Sequence, residues 1–94
     1  MAITEVNGRK ICLAKYQHKI FAFQNNCPHS GGLFDAGYLD LLGNVVCPVH
    51  HYKFNIKNGF NSTGEGFVLK TFPVEEKTDG VYIGMEDGIL FQNL

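Results

Sequence analysis

Two short stretches hold the residues best suited to chemistry. Cys27-Pro28-His29 and Cys47-Pro48-Val49-His50 each put one thiol and one imidazole close together beside a proline. Seventeen residues separate His29 from Cys47. Thiolates are soft, negative donors and neutral imidazole is an uncharged one, so two of each on paired loops suit one metal centre of mixed ligation. Tetrahedral zinc takes such a set. So does a [2Fe–2S] centre in which two His replace two Cys on one iron. In that case the two irons differ. Two ferric ions, two sulfides and two thiolates sum to zero charge, whereas four thiolates would give −2. A neutral centre accepts an electron more easily, and His-ligated clusters accordingly reach roughly −150 to +300 mV. The electron should settle on the iron without thiolates, making the imidazole edges of His29 and His50 the natural exit.

Neighbouring residues fit a metal-holding loop. Gly31 and Gly32 follow His29, where the lack of a Cβ lets backbone N–H groups approach sulfur closely. Pro28 and Pro48 fix φ in each loop. Residues 27–34 and 47–52 contain no Asp, Glu, Lys or Arg. The tip carrying them is therefore expected to be apolar apart from its imidazoles, as a transient docking surface for another protein would be. Cys12, flanked by Ile11 and Leu13, has no ligand partner nearby and reads as a buried strand cysteine.

The elements that must position these loops read as strands and tight turns. Asn7-Gly8, Asn58-Gly59, Asp79-Gly80 and Asp87-Gly88 supply the positive φ angles of two-residue hairpins. Strands are predicted over 3–6, 9–16, 19–24, 52–56, 67–71, 81–85 and 89–92, with Gln17-His18 as a turn and His18 exposed. Short strands at this spacing predict an all-β sandwich or small barrel. Their alternation is imperfect, as expected for strands buried on both faces. Residues 30–44 are the long non-strand piece. Within it Leu33, Phe34, Tyr38, Leu39, Leu41 and Leu42 should need burial, and 38–42 could form a helical turn.

At 94 residues the chain is expected to be one domain over 1–94. A metal centre tying two loops together would help so small a core. A net charge of −1 with 18% charged residues gives no bias toward nucleic acid or an anionic membrane. No apolar run is long enough for a transmembrane helix. Met1-Ala2-Ile3-Thr4-Glu5 lacks the apolar region of a signal peptide, so a cytoplasmic location is expected, where stable disulfides are rare. Asp35 and Asp40 stand alone, and no phosphate-cradling loop or nucleophile motif occurs. Catalysis by this chain by itself is not expected.

The pattern Cys27-x-His29, seventeen residues, Cys47-x-x-His50, with a proline after each Cys, resembles the Rieske [2Fe–2S] domain. The similarity extends to Ile20-Phe21-Ala22-Phe23-Gln24-Asn25 before the first loop, to Phe54, to Phe72-Pro73-Val74-Glu75 and to Asp79-Gly80-Val81-Tyr82-Ile83. The resemblance implies three stacked antiparallel sheets with a cluster-binding subdomain formed by two loops. It implies one [2Fe–2S] cluster per chain, bound by Cys27, His29, Cys47 and His50, and a role in electron transfer.

Departures within the motif sort it further. Respiratory and photosynthetic members carry an extra Cys in each loop, and those places hold Gly32 and Val49 here. Their Ser and Tyr hydroxyl positions match Tyr52 and Phe54. Fewer hydrogen bonds to sulfur mean a potential at the low end of the range, near about −150 mV. The chain thus looks like a soluble Rieske-type ferredoxin of oxygenase systems, taking electrons from a flavoprotein reductase and passing them to a terminal oxygenase or related enzyme. A small subunit of a nitrite-reductase-like complex is the alternative, followed by a structural zinc module. One position is unusual. The residue after the second His is Gly in most of the family, and here it is His51. His51 either occupies the left-handed backbone region that His tolerates or competes as ligand. The two-residue gap after Cys47 favours His50 as the ligand.

Overall fold

A computed structural model describes residues 1–85 and 88–92. The strands are β1 (Ala2–Val6), β2 (Arg9–Tyr16), β3 (Lys19–Gln24), β4 (Tyr38–Leu39), β5 (Asn44–Val46), β6 (Lys53–Asn55), β7 (Thr71–Phe72), β8 (Val74–Lys77), β9 (Gly80–Met85) and β10 (Gly88–Gln92). They form three antiparallel sheets, ordered β1-β2-β3-β7, β10-β9-β8 and β4-β5-β6. The all-β expectation holds.

Two successive hairpins build the first sheet. Asn7 and Gly8 turn at φ 52° and 76°, and Gln17 and His18 at 50° and 67°. Paired positive φ angles match the twist of the flanking strands. The second turn achieves this without glycine.

This sheet is buried on both faces, which explains the imperfect alternation. Ile11, Leu13 and Ala22 point into one core with Val6, Phe72 and Ile83. Cys12, Ala14 and Phe23 point into another with Phe34, Val45, Phe54, Ile56 and Leu69. The four-stranded sheet is therefore the middle layer. The β8–β10 sheet lies on one side, and the β4–β6 sheet with its loops on the other.

Residues 30–44 differ from expectation. Phe34–Ala36 form a 3₁₀ turn, and Tyr38–Leu39 are a strand rather than the start of a helical turn. Phe34 is fully buried, but Leu41 is 94% and Leu42 78% exposed, and Leu33 and Tyr38 are about half exposed. Local polar bonds override hydrophobicity at this hairpin tip. Asp40 Oδ1 accepts the N–H groups of Leu42 and Asn44, both at 2.9 Å, and the Tyr16 hydroxyl donates to the Leu41 carbonyl at 3.0 Å. Both leucines are thereby held at the corner of a turn.

The predicted 67–71 strand is also replaced. Only an isolated bridge from Val68 to Phe60 forms there, and pairing begins at Thr71. Gly64 and Gly66, at φ 85° and 88°, turn the backbone just before Phe67, whose ring packs on His29. Asn58-Gly59 makes a turn with Gly59 at φ 78°. The Asp87-Gly88 turn falls partly outside the described residues.

Candidate metal centre

Both candidate loops use one backbone design. The Cys27 N–H donates to the Gly32 carbonyl at 2.7 Å, and Gly31 N–H donates back to the Cys27 carbonyl at 2.8 Å. The Cys47 N–H donates to the Tyr52 carbonyl at 2.9 Å, and His51 N–H donates back to the Cys47 carbonyl at 3.0 Å. Gly31 and His51 are thus equivalent positions, with φ 73° and 60°. His51 sits in the left-handed region and is exposed, so the loop is intact despite the missing glycine.

The sheet brings the loops together. β5 ends at Val46, directly before Cys47, and Val46 pairs with Tyr38, just after the first loop. Gly37 permits this approach, because a Cβ there would lie 2.0 Å from the Val46 carbonyl oxygen. Asn25 fixes the first loop's base by accepting the Phe34 N–H on its carbonyl and the Asp35 N–H on Oδ1.

The four candidate ligands form two pairs. Cys27 and Cys47 are buried and free, and each thiol influences the other's ionisation. Burial, opposed by the His29 and Ser30 N–H groups and reinforced by Cys47, raises the Cys27 thiol above its ordinary value. Burial also pushes Cys47 up, but the Val49 and His50 N–H groups, the Cys27 thiol and the Ser30 hydroxyl outweigh it and hold it below. The donors stand two and three residues after each Cys, so both sulfurs sit in equivalent N–H cradles.

The imidazoles of His29 and His50 form the second pair, with centroids 4.9 Å apart. The Nδ1 of His29 is buried without a hydrogen-bond partner. A buried, unpartnered ring nitrogen is costly unless it binds something. That atom, with a second imidazole near it and with two sulfurs in N–H cradles on the same two loops, is the donor type a metal-sulfur centre uses. Among the described residues no cluster of three or more His, Cys, Asp or Glu is gathered to hold a metal ion. Cys12 lies apart, fully buried in β2 with its Sγ 3.9 Å from Met1 Sδ, and burial pushes its thiol up to about 11.

Four contributors to the site were not legible as such. The Tyr52 ring lies 4.0 Å from that of His29 at 32°, and Phe67 meets His29 edge-on at 5.3 Å. Glu65, on the loop that carries Phe67, is held below the usual carboxylate range by the Thr63 hydroxyl and by Asn61. The site is therefore not free of charge, as residues 27–34 and 47–52 alone suggest. Ser30 Oγ lies 3.7 Å from Cys47 Sγ, a cross-loop contact between residues far apart in sequence. Gly32 and Val49 face one another, since a Cβ on Gly32 would come within 2.6 Å of Val49 Cγ2. No disulfide joins the loops.

The chain is similar to known proteins. The chain is 31% identical over 81 residues to the 3-phenylpropionate/cinnamic acid dioxygenase ferredoxin subunit of Photorhabdus laumondii, covering 82% of this chain and 74% of that one. It is 28% identical over 88 residues to the ferredoxin component of naphthalene 1,2-dioxygenase/salicylate 5-hydroxylase systems from a Ralstonia species, covering 87% and 79%. Its fold matches the ferredoxin of carbazole 1,9a-dioxygenase from Nocardioides aromaticivorans with a TM-score of 0.79 at 17% identity, covering 87% of this chain and 81% of that one. The Rieske [2Fe-2S] domain model matches residues 1–73, a span that includes both loops and the aromatic residues packed on them, and on that match the chain belongs to the Rieske [2Fe–2S] domain family.

Proposed function

We propose that residues 1–94 form a single-domain, cytoplasmic one-electron carrier. It holds one [2Fe–2S] cluster per chain, with Cys27 and Cys47 on one iron and His29 and His50 on the other. It takes electrons from a flavoprotein reductase and delivers them to a terminal oxygenase or related enzyme. The observation that carries this reading is the pairing: thiol with thiol, imidazole with imidazole, on two loops of one backbone design. When bound, the cluster supplies a site that gains and loses a single electron.

The chain's own residues account for the rest. The N–H groups of Ser30 and His29, and of Val49 and His50, face the sulfurs and favour negative charge there. Tyr52 and Phe67 pack on His29, fixing its ring and excluding water from that side. The exposed ring of His50 offers an edge to a partner. Val49 and Leu33, each about half exposed, add apolar surface on the same two loops. The related ferredoxin subunits belong to dioxygenase systems, which supports the proposed acceptor. Among the described residues no helix is long and apolar enough to cross a membrane.

Metal and sulfide analysis of purified protein tests the reading. About two iron and two acid-labile sulfide per chain are expected from the cluster stoichiometry. Reduction by a flavoprotein reductase and reoxidation by a Rieske-type oxygenase should follow in stopped-flow absorbance. One zinc and no sulfide would overturn the proposal.

A further inference from the structure

We infer that Ser30 sets the reduction potential of the centre by donating a cross-loop hydrogen bond to the Cys47 thiolate. This rests on the four-ligand reading above and goes beyond it. By family resemblance, hydroxyl donors are expected at places 52 and 54, where this chain has Tyr52 and Phe54. The structure supplies a hydroxyl from the opposite loop instead. Ser30 Oγ is 3.7 Å from Cys47 Sγ. Direction follows from chemistry: a metal-bound thiolate has no proton to give, so the serine must donate. Ser30 Oγ also accepts the Gly32 N–H at 3.4 Å, which leaves its own proton for the sulfur.

The contact depends on its surroundings. A Cβ on Gly32 would sit 3.1 Å from Cys47 Sγ and 3.5 Å from Ser30 Oγ. Glycine at 32 therefore leaves the space through which the hydroxyl reaches the sulfur. A hydrogen bond to a ligand sulfur draws electron density from the metal and favours the reduced form. Ser30 touches a ligand rather than the irons, so it is a positioning residue. Its presence raises the expected potential above what an unassisted pair of thiolates would give.

Ser30→Ala tests this by protein-film voltammetry on cluster-loaded protein. The expected result is a lower midpoint, with the equilibrium shifted about threefold toward the oxidised form, or about 28 mV at 59 mV per tenfold. Iron and sulfide content should be unchanged, and Ser30→Thr should restore the midpoint. An unchanged midpoint in fully loaded Ser30→Ala would overturn the inference. Should Ser30→Ala fail to load, Ser30→Thr and Ser30→Val form the deciding pair. They match in shape and differ in the hydroxyl, so Thr must lie above Val, and equal midpoints would overturn the inference. Failure of the four-ligand reading looks different: wild-type protein would lack iron and sulfide, or would hold a cluster whose spectrum is lost in His51→Gly and kept in His50→Ala.

Discussion

His51→Gly is a substitution whose sign can be worked out in advance. His51 holds φ 60° in a loop whose twin has Gly31 at 73°. An L-residue in the left-handed region costs about 1–2 kcal/mol. Glycine removes that cost but adds about 0.5–1 kcal/mol of chain entropy in the unfolded state. The difference is a gain of about 0.5–1 kcal/mol, or roughly 2–8 °C in melting temperature for a chain of this size. The His51 N–H to Cys47 carbonyl bond is retained, because it is backbone to backbone. Thermal unfolding followed by circular dichroism, with the visible spectrum recorded in parallel, measures both stability and cluster content. Gly31→Ala is the reciprocal change. Its Cβ would meet nothing within 4 Å, so only the backbone conformation is penalised, and a loss of about 0.5–1 kcal/mol is expected with the cluster retained. If His51→Gly lost the native spectrum while His50→Ala kept it, His51 would be the ligand and the equivalence of the two loops would be misread.

Gly37→Ala should fail to fold or lose more than about 3 kcal/mol, because its Cβ would lie 2.0 Å from a backbone oxygen that cannot rotate away, whereas Gly32→Ala meets a Val49 methyl at 2.6 Å and should cost about 1–3 kcal/mol by urea unfolding. The buried Cys12 thiol, pushed up to about 11, stabilises the fold fully below pH 9. That contribution is lost as pH rises from 9 to 11, because the unfolded chain ionises first, at about 1.4 kcal/mol per pH unit. Cys12→Ala should remove this slope, measured as the difference between the two proteins, while keeping the visible spectrum. At the hairpin tip, burial works against the Asp40 carboxylate, but Asn44, the Leu42 N–H and Lys53 hold it below the usual range. Its contribution is present above the unfolded carboxylate value and lost as pH falls through the depressed one. Asp40→Asn should therefore cost about 1 kcal/mol at pH 7 and flatten the acid side of the stability curve.

Much of the scaffold was legible because its signals are local. β2 and β3 fall where β-rich runs end in turn residues, and both candidate loops announce themselves by residue type. β4 and β5 have two and three residues, too few for periodicity to register, and β5 is buried throughout. Phe67 and Val68 have strand-forming side chains, but Gly64 and Gly66 beside them redirect the backbone and place Phe67 on His29. Leu41 and Leu42 violate the expectation of burial because Asp40 and Tyr16 fix the turn through its backbone. Ser30 was invisible as a sulfur donor for a different reason. Its partner lies on the other loop, and only the pairing of β4 with β5 brings the two together.

The division of ligands into a sulfur pair and a nitrogen pair is tested most directly by pulsed electron-spin resonance on the reduced protein. With all histidines labelled with ¹⁵N, two strongly coupled nitrogens are expected in wild type. That two-nitrogen pattern should persist in His51→Gly and be lost in His50→Ala. A reduced cluster with no strongly coupled histidine nitrogen, or with the pattern lost in His51→Gly, would contradict the pairing of His29 with His50.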